Sequence, residues 1–146
     1  MADIITLRVT IESPVPGVAL ALQRGRDSIL PPVRQSTTAV TFDVDAEVRR
    51  RPDGTAVLAG AVVQGPPAAR FLYITVGTRA GQPGSPWDRR AKVPLTGIEG
   101  ALLEAVRARP GTVLAARIAG RAKDGGPACA SVPLLGDGWQ VEPRER

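Results

Sequence analysis

A mainly β fold, α+β at the margin, follows from three features of the sequence. Two segments alternate apolar and polar residues with period 2, glycine and proline punctuate the whole chain, and one stretch alone carries helical spacing. The expected architecture is an antiparallel β-sandwich or open barrel of about seven or eight short strands with one α-helix, at about 97–109. With 146 residues and no linker or internal repeat, residues 1–146 read as a single domain.

The clearest strands come first. Over 5–12, Ile5, Leu7, Val9 and Ile11 share one face, while Thr6, Arg8, Thr10 and Glu12 share the other. Over 40–49, Val40, Phe42, Val44, Ala46 and Val48 oppose Thr41, Asp43, Asp45, Glu47 and Arg49. Such alternation marks an antiparallel sheet with one face in water. Residues 18–24 follow a Pro-Val-Pro-Gly turn as a short strand, and 27–36, with Pro31-Pro32, read as loop. Pro52-Asp53-Gly54 joins 40–49 to 57–64 as a hairpin. The segment 70–78 is apolar on both faces, as a central strand should be. A long punctuated loop, 77–94, ends in a short strand at 91–93.

Thr96 and Glu99 fit a capping box at the head of the helix. Ile98, Leu102, Ala105 and Val106 then form its apolar stripe, with Leu103 flanking. Arg107 and Arg109 complement the helix dipole before Pro110-Gly111 stops the chain. A strand at 112–120 turns at Asp124-Gly125-Gly126 into 128–134, which reads as a second hairpin. A last strand lies near 139–141, and 142–146 form a frayed tail.

Composition excludes more chemistry than it suggests. The chain has no histidine, hence no imidazole base, no Ser-His or Cys-His pair and no histidine-ligated metal. The lone Cys129, between two alanines, reads as a small packed thiol and forms no intrachain disulfide or thiolate metal site. No catalytic residue, metal or cofactor is assigned. The Gly-rich runs at 77–84 and 125–126 match no phosphate-loop spacing and read as turns. The N-terminus lacks a cationic-then-apolar leader, and no apolar run is long enough for a membrane helix. A cytoplasmic protein without membrane contact is expected, and the unpaired cysteine agrees with a reducing compartment.

The net charge of +5 comes almost wholly from arginine. Arginine's planar fork suits phosphate and carboxylate, although the joint abundance of Arg, Ala, Gly and Pro also fits a GC-rich genome. The basic residues are scattered, apart from Arg49-Arg50-Arg51 and Arg89-Arg90, and aromatics are only 3% of the chain. Both facts argue against nucleic acid. The carboxylate row Asp43, Asp45, Glu47 could hold a hard cation, but reads better as a solvated face paired with arginines such as Arg8 or Arg49.

Four stretches carry a resemblance. They are Ala21-Leu22-Gln23-Arg24-Gly25-Arg26; Gln64-Gly65-Pro66-Pro67 with Arg70-Phe71-Leu72-Tyr73; Trp87-Asp88-Arg89-Arg90-Ala91-Lys92-Val93-Pro94-Leu95; and 116–135 with its Asp124-Gly125-Gly126-Pro127-Ala128-Cys129 turn. Together the chain resembles a family of small bacterial proteins known only as a domain of unknown function. The resemblance implies one autonomous domain and no particular activity.

The candidate binding residues are Gln23, Arg24, Gln64, Tyr73, Trp87, Arg89, Arg90 and Lys92. Gln23, Arg24 and Gln64 end two expected strands, Tyr73 lies within a third, and Trp87 begins the basic stretch of the long loop. Were these ends to converge, forked donors would stand beside aromatic faces, which suits a small anionic or ring-containing ligand. In that arrangement Trp87 covers a sheet end, and Arg89 or Arg90 turns into the depression shared by Arg24 and Tyr73. The expected function is a non-catalytic binding module. The alternatives are a cofactor-free enzyme with a barrel cavity, and a protein-interaction or weak nucleic-acid-binding domain.

Overall fold

The computed structural model describes residues 3–13, 19–24, 28–60, 63, 65, 70–77, 89–95, 98, 100–119, 130–131 and 134–144. These form two sheets and a helix. Sheet A has six strands: β11 (Gln140–Pro143), β9 (Thr112–Ala119), β1 (Asp3–Glu12), β5 (Ala39–Arg50) and β4 (Arg34–Gln35) in spatial order, with β6 (Ala56–Ala59) also on β5. Sheet B runs β10 (Ala130–Ser131), β8 (Arg89–Pro94), β7 (Phe71–Gly77), β2 (Ala19–Arg24) and β3 (Ser28–Leu30). The protein is mainly β, as expected.

The period-2 alternation of β1 and β5 explains the centre of sheet A. Paired antiparallel from Asp3↔Val48 to Glu12↔Ala39, they bury Ile5, Leu7, Val9 and Ile11 beside Val40, Phe42, Val44, Ala46 and Val48. Those chains meet Leu22, Leu72, Ile74 and Val93 of sheet B in one core, which Trp139 also enters. The β5–β6 hairpin forms at the expected turn. There Gly54 takes φ +90, which its missing Cβ permits, and Asp53 Oδ1 accepts from the Thr55 amide at 2.9 Å. The expected both-face apolarity of β7 also fits its central position in sheet B.

The structure differs from the sequence reading in several described places. Among the described residues eleven strands form rather than seven or eight, and the helix begins at Gly100 rather than near 97, so Ile98 of the expected stripe precedes it. The stretch read as loop supplies two short edge strands: β3 pairs β2, and β4 pairs β5. Strands this short leave no periodicity to read. Among the described residues the second hairpin does not form as a ladder. β9 instead lies parallel to β1 (Leu7↔Leu114 to Glu12↔Ala119), while β10 lies parallel to β8 in the other sheet. A single antiparallel bridge, Ile118↔Leu134, is the trace of the expected pairing. Placing Leu114, Ala116 and Ile118 beside β1 buries all three, and a turn signal competes weakly with that. Glu142 and Pro143, assigned to the frayed tail, belong to β11, and the Arg144 amide donates to the Gly111 carbonyl at 2.7 Å. Finally, Leu103, expected at the flank of the helix's apolar stripe, is its most deeply buried residue.

The helix, α1, spans Gly100–Ala108 and buries Leu103 and Val106 against the core. The Thr112 hydroxyl donates to the Arg109 carbonyl at 2.6 Å and lies 3.3 Å from that of Val106, which places its one proton among the open acceptors at the end of the helix. Gly111 follows at φ +82, the left-handed conformation that ends helices. Thr96, Glu99 and Cys129 lie outside the described residues. Among the described residues, no helix is long and apolar enough to cross a membrane.

Candidate functional site

Two clusters of polar side chains stand on the faces turned away from the shared core. The first holds part of the expected site. On sheet B, Leu22, Leu72, Ile74 and Val93 face the core, so the alternate residues Gln23, Phe71, Tyr73 and Lys92 occupy the opposite face. Tyr73 stands opposite Lys92, and Gln23 follows Leu22, the residue of β2 that pairs with Ile74. The Phe71 and Tyr73 rings meet edge to face, centroids 4.6 Å apart, and Lys92 Nζ lies 4.8 Å from the Phe71 centroid. A cation over a ring face is attracted by the ring's quadrupole. Three expected residues, Gln23, Tyr73 and Lys92, therefore share one face.

The remaining five are only partly placed. Arg24 pairs with Ser28 in the ladder, Arg89 with Val76 and Arg90 with Thr75, but their side chains lie outside the described residues. Gln64 and Trp87 lie outside them altogether, and with them the expected packing of Trp87 over a sheet end.

The second cluster was not among the expected sites. On the polar face of sheet A a hollow of about 590 Å³ crosses from β4 to β11, lined by Arg8, Thr10, Glu12, Ser13, Arg34, Gln35, Ser36, Thr38, Thr41, Arg117 and Glu142 among others. Its floor follows from the alternation of β1 and β5, which sends Arg8, Thr10 and Glu12 outward beside Thr41 and Asp43. The β4 edge closes one side. Its turn is held by the Ser36 side-chain oxygen, which accepts from the Thr38 and Ala39 amides at 3.3 and 3.2 Å.

Most charges along the hollow are already matched. Arg8 donates through Nε and Nη2 to both oxygens of Asp43, at 2.7 and 2.9 Å, and its Nη2 reaches the Arg144 carbonyl at 3.0 Å. This forked bond to Asp43 raises the Arg8 pKa against the opposing effect of partial burial. Arg117 Nη1 meets Glu12 Oε2 at 3.2 Å in an exposed pair. Arg34 differs: among the described residues it has no acidic or hydrogen-bonding partner, and it is exposed at the rim. Beside it the Thr10 and Thr41 hydroxyl oxygens stand 3.3 Å apart. An unmatched guanidinium above a hydroxyl-lined floor attracts an anion and can orient it.

The carboxylate row of β5 serves pairing. Asp43 binds Arg8, Glu47 Oε2 accepts from Arg49 at 2.7 Å, and Asp45 accepts from Thr6 at 3.3 Å. Among the described residues, no group of three or more His, Cys, Asp or Glu is placed to hold a metal ion.

Fold and hollow together define a small two-sheet β domain with a polar, arginine-bearing depression on one outer face. Residues 5–142 match the Family of unknown function (DUF5990), and the chain belongs to that family. No curated protein and no solved structure matches it.

Proposed function

We propose that the protein is a non-catalytic binding module for a small anionic ligand, and that the ligand seats in the sheet A hollow. The observation that carries this reading is Arg34, a guanidinium without a partner among the described residues, on the rim of about 590 Å³ of space floored by threonine hydroxyls and edged by those of Ser36 and Thr38. Neither histidine nor cysteine lines that space, so its side chains offer charge and hydrogen bonds rather than a nucleophile with its base. The pre-formed Arg8–Asp43 fork keeps the floor rigid, which lowers the ordering cost of binding.

Ligands that bind only the folded state stabilise it, by about 2.7 kcal/mol at a hundredfold excess over Kd. A thermal-shift screen of mono- and dicarboxylates and phosphate monoesters should therefore raise the melting temperature for some of them. Arg34→Ala should remove that rise while leaving the unliganded melting temperature unchanged. A screen in which nothing stabilises the protein would overturn the proposal.

The ring-containing alternative rests on sheet B, where Phe71 and Tyr73 present aromatic surface next to Lys92. A ligand there would stack as well as pair, so its binding should respond to Tyr73→Leu and not to Arg34→Ala. The setting we propose for either activity is the cytoplasm, in keeping with a single cysteine; fractionation of host cells tests it.

A further inference from the structure

We infer that the ligand of the sheet A hollow is an elongated dianion, with one anionic group on Arg34 and the other on Arg117. This rests on the proposed anion-binding role of that hollow and specifies its ligand. Arg34 pairs with Thr41, Thr41 with Thr10, and Thr10 with Arg117, so these four residues form one continuous row across β4, β5, β1 and β9. All four line the hollow. Three inter-strand steps of about 4.8 Å separate the two arginine Cα atoms by about 14 Å.

The row is symmetrical in chemistry: a cation at each end and two hydroxyls, 3.3 Å apart, in the middle. Guanidiniums set this far apart reach two separate anionic groups with less rearrangement than one shared group requires. The hydroxyls between them can donate to, or accept from, a polar linker. Arg117 is held by Glu12, yet that pair is exposed, with side-chain accessibilities of 55% and 40%. Such pairs contribute little, and a guanidinium has five donors, so an incoming carboxylate can share or displace Glu12. Glu12 therefore weakens the Arg117 end, and removing its charge strengthens that end.

The test is a calorimetric titration with straight-chain α,ω-dicarboxylates from succinate to sebacate, alongside the matching monocarboxylates and inorganic phosphate. Affinity should pass through a maximum at an intermediate length, there exceeding the matching monocarboxylate about tenfold. Arg34→Ala and Arg117→Ala, both at exposed positions, should each erase the maximum and bring the diacid down to the monoacid. Glu12→Gln should tighten the best diacid severalfold. A flat or steadily rising length series overturns the inference, as does phosphate binding as tightly as the best diacid, or a Glu12→Gln variant of unchanged affinity. Monocarboxylate binding that still depends on Arg34 would then leave the broader anion-binding role standing. Binding of no anion would remove both.

Discussion

At the scale of single residues, Arg8 shows how pairing and burial combine. Its side chain is 13% exposed and that of Asp43 21%, so neither charge keeps a full water shell, and each depends on the other. Replacing Asp43 with Ala strands a guanidinium on the floor of the hollow. Chemical denaturation should then show a loss of about 1–3 kcal/mol, with Arg8→Met recovering part of it in the double variant. If the single Asp43→Ala change cost nothing, the floor would not be rigid in the sense used above. This pair was legible in the sequence, because Arg8 and Asp43 lie on the polar faces of the two most regular alternations in the chain. Arg34 was not. It follows Pro31-Pro32 in a stretch whose strands are two and three residues long, and nothing local distinguishes an edge strand of that length from a loop.

Among the elements, α1 is fastened to sheet A by an exposed ion network. Glu104 bonds Arg50 of β5 and Arg107 of its own helix, and Arg107 donates to Asp3 of β1 at 2.6 Å. The bonds from Arg50, first, and Arg107, second, hold the Glu104 carboxyl below its ordinary pKa. A carboxyl with a depressed pKa binds fewer protons folded than unfolded. Its stabilising contribution is thus fully present above the ordinary carboxylate range and fades as pH falls through that range and below it. Glu104→Gln should flatten this acid limb in melting temperatures measured from neutral to acidic pH, and added salt should flatten it further. An unchanged limb would mean that the network has no hold on the helix. The helix and the β5–β6 hairpin could be read from the chain, since spacing and turn residues are local signals. The parallel placement of β9 beside β1 is non-local. Its sequence trace, Leu114, Ala116 and Ile118 alternating, specifies a strand and leaves its neighbour open. The hollow, which needs β9 beside β1 and β11 beside β9 to exist, stayed hidden for that reason.

At the scale of the whole molecule, the two sheets share one set of buried side chains and, among the described residues, a polar tie. Phe42, Leu7, Val9 and Leu114 of sheet A are almost wholly buried, as are Leu22, Leu72, Ile74 and Val93 of sheet B, all within a single cluster. Trp139, at the entrance to β11, is 5% exposed and donates through Nε1 to the Pro94 carbonyl of β8 at 2.9 Å, which joins the last strand of one sheet to a middle strand of the other. Neither sheet can lose its partner without exposing its own apolar face, so the two should unfold in one transition. Because Trp87 would add its own emission, a Trp87→Phe background leaves Trp139 as the sole reporter. In that background, tryptophan fluorescence and far-ultraviolet circular dichroism should give coincident denaturation curves. Trp139→Phe keeps most of the buried ring but leaves the Pro94 carbonyl without this donor, and should lower stability by about 1–3 kcal/mol while the transition, followed by circular dichroism, stays single. Two resolved steps in either protein would mean that sheet B folds apart from sheet A. The rigidity of the hollow would then depend on sheet A alone.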